Sequence, residues 1–508
     1  MAKSALHNLS HSVKFSGNMG YMIPVANFDV VPGDKINHKI AALIRTQPLL
    51  APVMHAVDVE LHAYYAPERI MCEDYEDFQS GGDDGLATVV APYMNAPAFT
   101  GYAVGTLADY LGLPTGVPDY QHSAYPFRMY NMVWNWYYRD QQLQSESAVS
   151  TANGSGGADT TTNKDLLSPC WKRDYFTKAR PEPQLGAEVT IPLLGEAPVM
   201  GIGMNAATGA VTAGSSVRQS GGAAATMPFS VDFSDTATVE AMKIAVKTNS
   251  TSAYPDIMAD LEGVSGVDLR DLREAAAMQR FLEFNNLFGG RYIEQIMARF
   301  NMRVPDYRFQ EPQFLGAGET KVQFSEVLQT GGTSAGAQTG VGQMAGHGIS
   351  VVGSNRYRFR VPEHGWIQVY LILRPKTQYM QGLHRSWSRT TKFDYLLPEF
   401  QNIGDQAILN KELYVGAATP DGVFGWTPQF EEYRTIPSRV AGDFRATLDY
   451  WHMARKFSSE PALNSTFVTC NPTTRIYPAT SAAQLYVDCE HKILARRPLS
   501  KRPHYRLM

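Results

Sequence analysis

The strongest constraint on the fold of this chain is a period of two. In VMHAVDVELHAYY (residues 53–65), Val57, Val59, Leu61 and Ala63 point one way, while Asp58, Glu60 and His62 point the other. Successive side chains of a strand face opposite sides of a sheet, so this pattern predicts a half-buried antiparallel strand. RYRFRV (356–361) repeats it, with Arg356, Arg358 and Arg360 opposite Tyr357, Phe359 and Val361. WIQVYLILRP, which follows, is apolar on both faces and predicts a central strand. YMIPVANFDVVPGDK (21–35) predicts a strand broken by Pro24 and closed by a turn at Pro32–Gly33. LYVDC (485–489) predicts another short strand.

Helical periodicity is confined to three places. RYIEQIMARFN (291–301) sets Ile293, Ile296, Met297 and Phe300 on one face, and DLRDLREAAAMQRFLEFNNLF (268–288) carries Asp268 and Asp271 in its first turn, where they suit the helix dipole. The third is YPFRMYNMVWNWYYRDQQLQ (125–144), with seven aromatic rings in twenty residues. There Arg128, Asn131, Asn135 and Arg139 trace one narrow polar stripe, and Tyr130, Trp134, Tyr137 and Tyr138 belong to the apolar remainder. A helix apolar over most of its circumference is buried on most sides. A ring-stacking platform for single-stranded nucleic acid would instead leave its rings open. Dispersed strands among long irregular insertions predict a mainly β protein with elaborate loops. Residues 145–164, 195–226 and 330–348 are rich in Gly, Ser, Thr and Ala and read as loops.

Charged residues make up 19% of 508 residues, fewer than the usual quarter, which suits a surface shared with other proteins. The net charge of −4 excludes a molecule that is basic overall, so phosphate contacts must be local. Two segments offer them: the tail HKILARRPLSKRPHYRLM (491–508), which has no acidic residue, and the Arg356/Arg358/Arg360 strand face. Pro498 and Pro503 predict an extended tail. If the tail's six Lys and Arg charges met single-stranded DNA, log affinity would fall with log salt at a slope of about −4.

Catalytic and metal signatures fail on context. Gly332–Thr333–Ser334–Ala335–Gly336 fits a nucleophile elbow but has neither strand before nor helix after it. Gly201, Gly203, Ala206 and Gly340, Gly342, Ala345 fit a dinucleotide fingerprint with no helix to receive a pyrophosphate. His7 and His11 have no third ligand nearby, and a solvated N-terminal arm is the expectation. Cys72, Cys170, Cys470 and Cys489 form no metal-type pair and read as reduced core thiols. The chain opens without an apolar signal core and contains no run long enough to span a membrane. No cofactor, metal or enzymatic activity is expected.

From end to end, long stretches resemble the major capsid protein of the Microviridae, the tailless icosahedral phages with single-stranded DNA, in their gokushovirus-like branch. They include YMIPVANFDVVPGDK, YPFRMYNMVWNWYYRDQQLQ, KRDYFTKARPEPQLG (172–186), GGRYIEQIMARFNMRVPDYRFQEPQFLGAG (289–318), RPKTQYMQGLHRSWSRTTKFDYLLPEFQNIGDQAILNKELY (374–414) and VFGWTPQFEEYRTIPSRVAGDFR (423–445). The resemblance implies an eight-stranded antiparallel jelly roll split over residues 1–194 and 263–508, with the aromatic helix packed on it or between subunits. It implies a variable exposed insertion at about residues 195–262, here low rather than tall. It further implies a T=1 icosahedral shell of 60 copies, assembled in the bacterial cytoplasm around circular single-stranded DNA. A small basic packaging peptide, pilot and internal scaffolding proteins and a host receptor would be the other partners. On that reading Arg496, Arg497, Lys501, Arg502 and Arg506 face the genome, and Tyr130, Trp134, Tyr137 and Tyr138 serve packing. The alternative is a monomeric single-stranded nucleic-acid-binding protein.

Overall fold

The computed structural model describes residues 4–82, 86–187, 189, 269–288, 297–298, 310–328, 344–354 and 356–501, with six two-residue strands between 199 and 259. The chain divides into two compact units, Gln184–Leu287 and the remainder. In the smaller unit the two-residue strands pair antiparallel, and a helix runs over Leu269–Phe288, as its sequence predicts. Of the helix expected over 291–301 only residues 297–298 are described, and they are helical; the loop over 330–343 and most of the 195–262 insertion lie outside the described residues, as do the two glycine fingerprints and the Gly332–Gly336 motif, apart from Ala345.

The larger unit is a β-sandwich. Its principal strands are β1 (Ala5–Asn8), β2 (His11–Gly17), β3 (Met22–Val30), β4 (Lys35–Thr46), β5 (Val57–Pro67), β6 (Gln313–Lys321), β7 (Gln323–Leu328), β8 (Met344–Gly353), β9 (Tyr357–Arg360), β10 (Gly365–Pro375) and β11 (Leu485–Arg497). One sheet has the order β6–β5–β10–β3. In the other, β11 lies between β4 and the tandem pair β1 and β2, while β8 and β9 follow one another along the far side of β4 and β7 edges β8. Every one of these pairings is antiparallel. The core between the sheets holds Ile40, Ala42 and Ile44 of β4, Val57, Val59 and Leu61 of β5, Val369 and Leu371 of β10, and Leu485, Val487 and Cys489 of β11.

Several expectations change. Residues 344–348 are strand, not loop. The N-terminal segment containing His7 and His11 is not a solvated arm; it pairs with β11. The strand at 485–489 continues to Arg497, so the first part of the basic tail is a sheet strand rather than a free arm. Pro24 does not end β3. The strand runs through it, with a bulge opposite Val369–Tyr370, and β3 is an edge strand, where a missing N–H is tolerated.

β5 is buried on both faces, not one. Its second face carries Glu60 and Tyr64, and Met22, Tyr370 and Ile372 join Tyr64 in a second apolar cluster, formed under helix α1 (Tyr125–Val133) and the π-helical turn Trp134–Tyr138. Glu60 survives there by pairing with Lys172 at 2.7 Å and with Arg374. Burial works to raise its carboxyl pKa, but Arg374 and Lys172 outweigh burial and hold it below the usual range.

The polar stripe of the aromatic helix is taken up by the chain itself, with Arg128 and Asn131 buried and Asn135 and Arg139 half-buried. The loop over 144–163 runs along it and takes up its groups. Arg128 donates to Asp159 from Nε and Nη2 at 3.0 and 2.9 Å, to Met71 O at 2.7 Å and to Ala152 O at 2.8 Å. Asn131 donates to Asn163 O at 2.9 Å and accepts from Ser147 Oγ at 2.6 Å. Asn135 exchanges two bonds with the Ser147 backbone, and Arg139 donates to Gln144 O. The Gly/Ser/Thr richness of this loop lets it lie close enough to satisfy a buried helix face.

Beneath the second sheet's outer surface sits a histidine chain. Tyr357 lies 2.7 Å from His38 Nδ1, His38 Nε2 lies 3.1 Å from His491 Nδ1, and His11 stacks on His491 at 4.9 Å. The bonds are satisfied when Tyr357 donates to His38 and His38 donates to His491, both imidazoles neutral. Burial, reinforced by the neighbouring histidines, lowers His38 to about 3 and His491 to about 4.

Two outcomes follow for the isolated subunit. Asp159→Ala leaves the Arg128 guanidinium buried without its counter-charge and should lower unfolding free energy by about 3–5 kcal/mol in urea titration, while Arg128→Met with Asp159→Leu recovers most of the loss. The depressed histidines contribute stability that is complete above their ordinary pKa of 6.5 and is lost as pH falls through about 4 and about 3. The urea midpoint should therefore fall between pH 6.5 and 4, and His38→Asn with His491→Gln should flatten that dependence.

Candidate nucleic-acid interface

The outer face of the seven-stranded sheet is built by strict alternation. Along β4, Ile36, His38, Ile40, Ala42 and Ile44 turn inward, which sends Lys35, Asn37, Lys39, Ala41, Leu43 and Arg45 outward. Along β11, Leu485, Val487, Cys489, His491, Ile493 and Ala495 turn inward, which sends Lys492, Leu494 and Arg496 outward. β9 buries Tyr357 and exposes Arg358 and Arg360.

Strand register then collects charge. Arg496 of β11 lies opposite Lys35 of β4, and Lys35 lies opposite Arg360 of β9. One row further, Arg358 faces Asn37, whose side-chain oxygen also accepts from Arg356. Lys492 lies directly opposite Lys39. Seven cations thus share one end of this outer face, and no ion pair joins any of them to a carboxylate among the described residues. Like charges directly opposite across a ladder are destabilising. The acidic groups of the face lie toward its other end, where Asp488 pairs with Lys14 at 3.0 Å and Glu490 stands opposite Ala41.

The structure treats the expected DNA-facing residues unequally. Arg496 belongs to the cationic rows. Arg497, one position on, turns toward the opposite sheet: its Nε lies 3.1 Å from the fully buried Asp34 carboxylate, and it donates to Asp29 O at 2.8 Å. Burial pushes the Asp34 carboxyl up despite Arg497. Lys501 is exposed beyond the strand end, and Arg502 and Arg506 lie outside the described residues. Lys35 and Lys39 escaped sequence reasoning, although the alternation in KINHKIAALIRT signals both.

The aromatic residues lie on the far side of the other sheet. Tyr130, Trp134 and Tyr138 are buried within the chain's own core, and Tyr137 remains partly exposed. Tyr138 Oη sits 2.6 Å from His62 Nδ1 and 3.0 Å from Tyr64 Oη, and Tyr137 donates to Pro312 O at 2.6 Å. No ring of this helix is brought to the cationic face.

Among the described residues no group of three or more His, Cys, Asp or Glu is arranged to hold a metal ion, and no helix is long and apolar enough to cross a membrane. The four cysteines are free, and burial pushes the thiols of Cys170, Cys470 and Cys489 up to about 12, which makes them poor nucleophiles.

Residues 1–505 match the phage family described as capsid protein (F protein). The capsid protein VP1 of Bdellovibrio phage phiMH2K is 32% identical over 477 residues, covering 91% of this chain and 87% of that protein. VP1 of Chlamydia phage 1 is 30% identical, covering 91% and 88%, and VP1 of Spiroplasma virus 4 is 29% identical, covering 98% and 94%. With a family match over almost its whole length, this mainly β, antiparallel chain belongs to the phage capsid F-protein family, the major capsid proteins of the gokushovirus-like Microviridae.

Proposed function

We propose that this chain is the subunit of a closed T=1 shell of 60 copies around circular single-stranded DNA, and that the cationic end of the seven-stranded sheet lines the inner wall. The observation that carries the inward assignment is the Arg496–Lys35–Arg360 row. Three like charges held side by side raise the energy of the empty subunit, and a polyanion removes that repulsion. With β1 and β2 in tandem, and β8 and β9 likewise, four strand positions face the four-stranded sheet, with β7 as an added edge. This arrangement supports reading the sandwich as the eight-position jelly roll.

The remaining roles rest on family resemblance. The subunit is structural rather than enzymatic and resides in the virion after assembly in the host cytoplasm. A small basic peptide supplies neutralisation that a chain of net charge −4 cannot. Pilot and scaffolding proteins act in assembly, and residues 195–262 form the exposed variable insertion that meets the host surface.

Replacing Lys35, Arg358, Arg360 and Arg496 by Gln tests the inner face. If all seven cations contact single-stranded DNA, the log–log salt slope of subunit binding is about −5, and it should shrink to about −2 in the variant. Particles of the variant should also retain less genome after a salt wash. An unchanged slope together with unchanged genome retention would place this face away from the DNA.

A further inference from the structure

We infer that a second copy of this chain docks on the surface formed by three consecutive 3-10 turns, Arg385–Trp387, Lys392–Asp394 and Pro398–Phe400, together with the neighbouring turn Glu431–Tyr433 and Ile436. The inference rests on the capsid reading and assigns it a contact surface.

Large apolar side chains crowd this region with no cover from the described residues. Trp387 is 77% exposed and Ile436 86%, and Phe393, Tyr395, Leu396 and Tyr433 are exposed beside them. A solitary soluble subunit rarely shows so many neighbouring rings and branched chains to water. They form one surface rather than scattered residues. Arg389 lies over the Tyr433 ring at 4.3 Å and the Tyr395 ring at 5.4 Å. The Tyr433 hydroxyl accepts from Leu396 N at 3.3 Å, and Phe393 meets Phe400 edge-on at 5.8 Å. Trp387 and Ile436 share the wall of a cavity of about 930 Å³, toward which Phe176, Tyr379 and Met380 also turn.

The surface is presented by a fixed backbone. Arg385 donates to Ala407 O at 2.7 Å and to Glu412 at 3.2 Å, and Arg389 pairs with the buried Glu432 at 3.2 Å. The Asp394 carboxylate accepts from Thr390 N and Thr391 N at 2.9 and 2.7 Å. These bonds hold the turns open although collapse of their rings inward would remove apolar area from water. A preorganised apolar surface with an adjacent hollow loses little entropy on docking and gains from each ring it covers.

The occupant follows from the family. A capsid subunit must be covered by copies of itself, and the aromatic helix over 125–138, the other concentration of rings, is already spent on the chain's own core. The surface at 385–436 brings four exposed rings together, Trp387, Phe393, Tyr395 and Tyr433. Its exposed charges are of both signs, Lys392 and Arg434 against Asp394 and Glu399, so it does not resemble a polyanion site.

Trp387→Ser and Ile436→Asp test the surface. Both side chains are exposed, so the urea midpoint of each isolated variant should match that of the natural chain. Co-expressed with the phage's other gene products, the natural chain should sediment as particles, while each variant should lose at least tenfold in particle yield and accumulate as free or partly assembled subunits. Particles at full yield from both variants would overturn the assignment, including the case where they form normally but fail to infect, which would give the surface to another partner. If the natural chain itself forms no particles, the capsid reading fails rather than the assignment of its contact surface.

Discussion

The β4–β11 ladder holds twelve residue pairs at one register, from Leu485 opposite Thr46 to Arg496 opposite Lys35. A strand that slips by one residue exchanges its faces. Here a slip would drive Lys35, Lys39, Lys492 and Arg496 into the core and turn His38, Ile40, His491 and Ile493 out to water. The cost of burying unpaired charge is large enough to exclude that alternative. The same register that seals the sandwich therefore lines up the cations outside it, and the charged face comes with the fold rather than being added to it.

The two sheets solve the same problem in opposite ways. The four-stranded sheet has apolar residues on both faces and needs a cover, which the aromatic helix supplies. That helix would bury its own polar stripe without recompense, and the loop over 144–163 answers by bonding to Arg128, Asn131, Asn135 and Arg139 in turn. Strand, helix and loop form a nested series, each satisfying the exposed groups of the last. Among the described residues, the outward positions of β4 and β11 in the seven-stranded sheet stay largely exposed. Its neutral histidine layer, with His38 and His491 kept uncharged by burial, adds no further positive charge beneath the cationic rows.

Much of this was legible in the residues. Period-two alternation located β5 and β9, an apolar run on both faces located β10, and the inward and outward sides of RYRFRV came out as read. The helix over Leu269–Phe288 announced itself by its length and its acidic first turn. What the sequence hid was pairing. Nothing in HKILARRPLSKRPHYRLM says that its first residues lie between β4 and the N-terminal strands, because strand partnership is a long-range property and the segment's charges mask its alternation. Arg497 was indistinguishable from Arg496 in sequence, yet a single step along the strand sent it to Asp34 instead of the open face. Glu60 looked like a solvent-facing position because its cover comes from residues far along the chain.

The position of β11 has a consequence for how the subunit comes into being. The first strands of the chain can find their place only when one of the last has been made, because β11 lies between them and β4. Throughout most of translation the N-terminal segment and the bare edge of β4 have no partner, and closing that gap spans nearly the whole polypeptide, the slowest kind of loop to close. A nascent chain interrupted before residue 485 lacks a complete sheet. The outer face of this sheet, cations included, therefore exists only once the residues through Arg497 have been made.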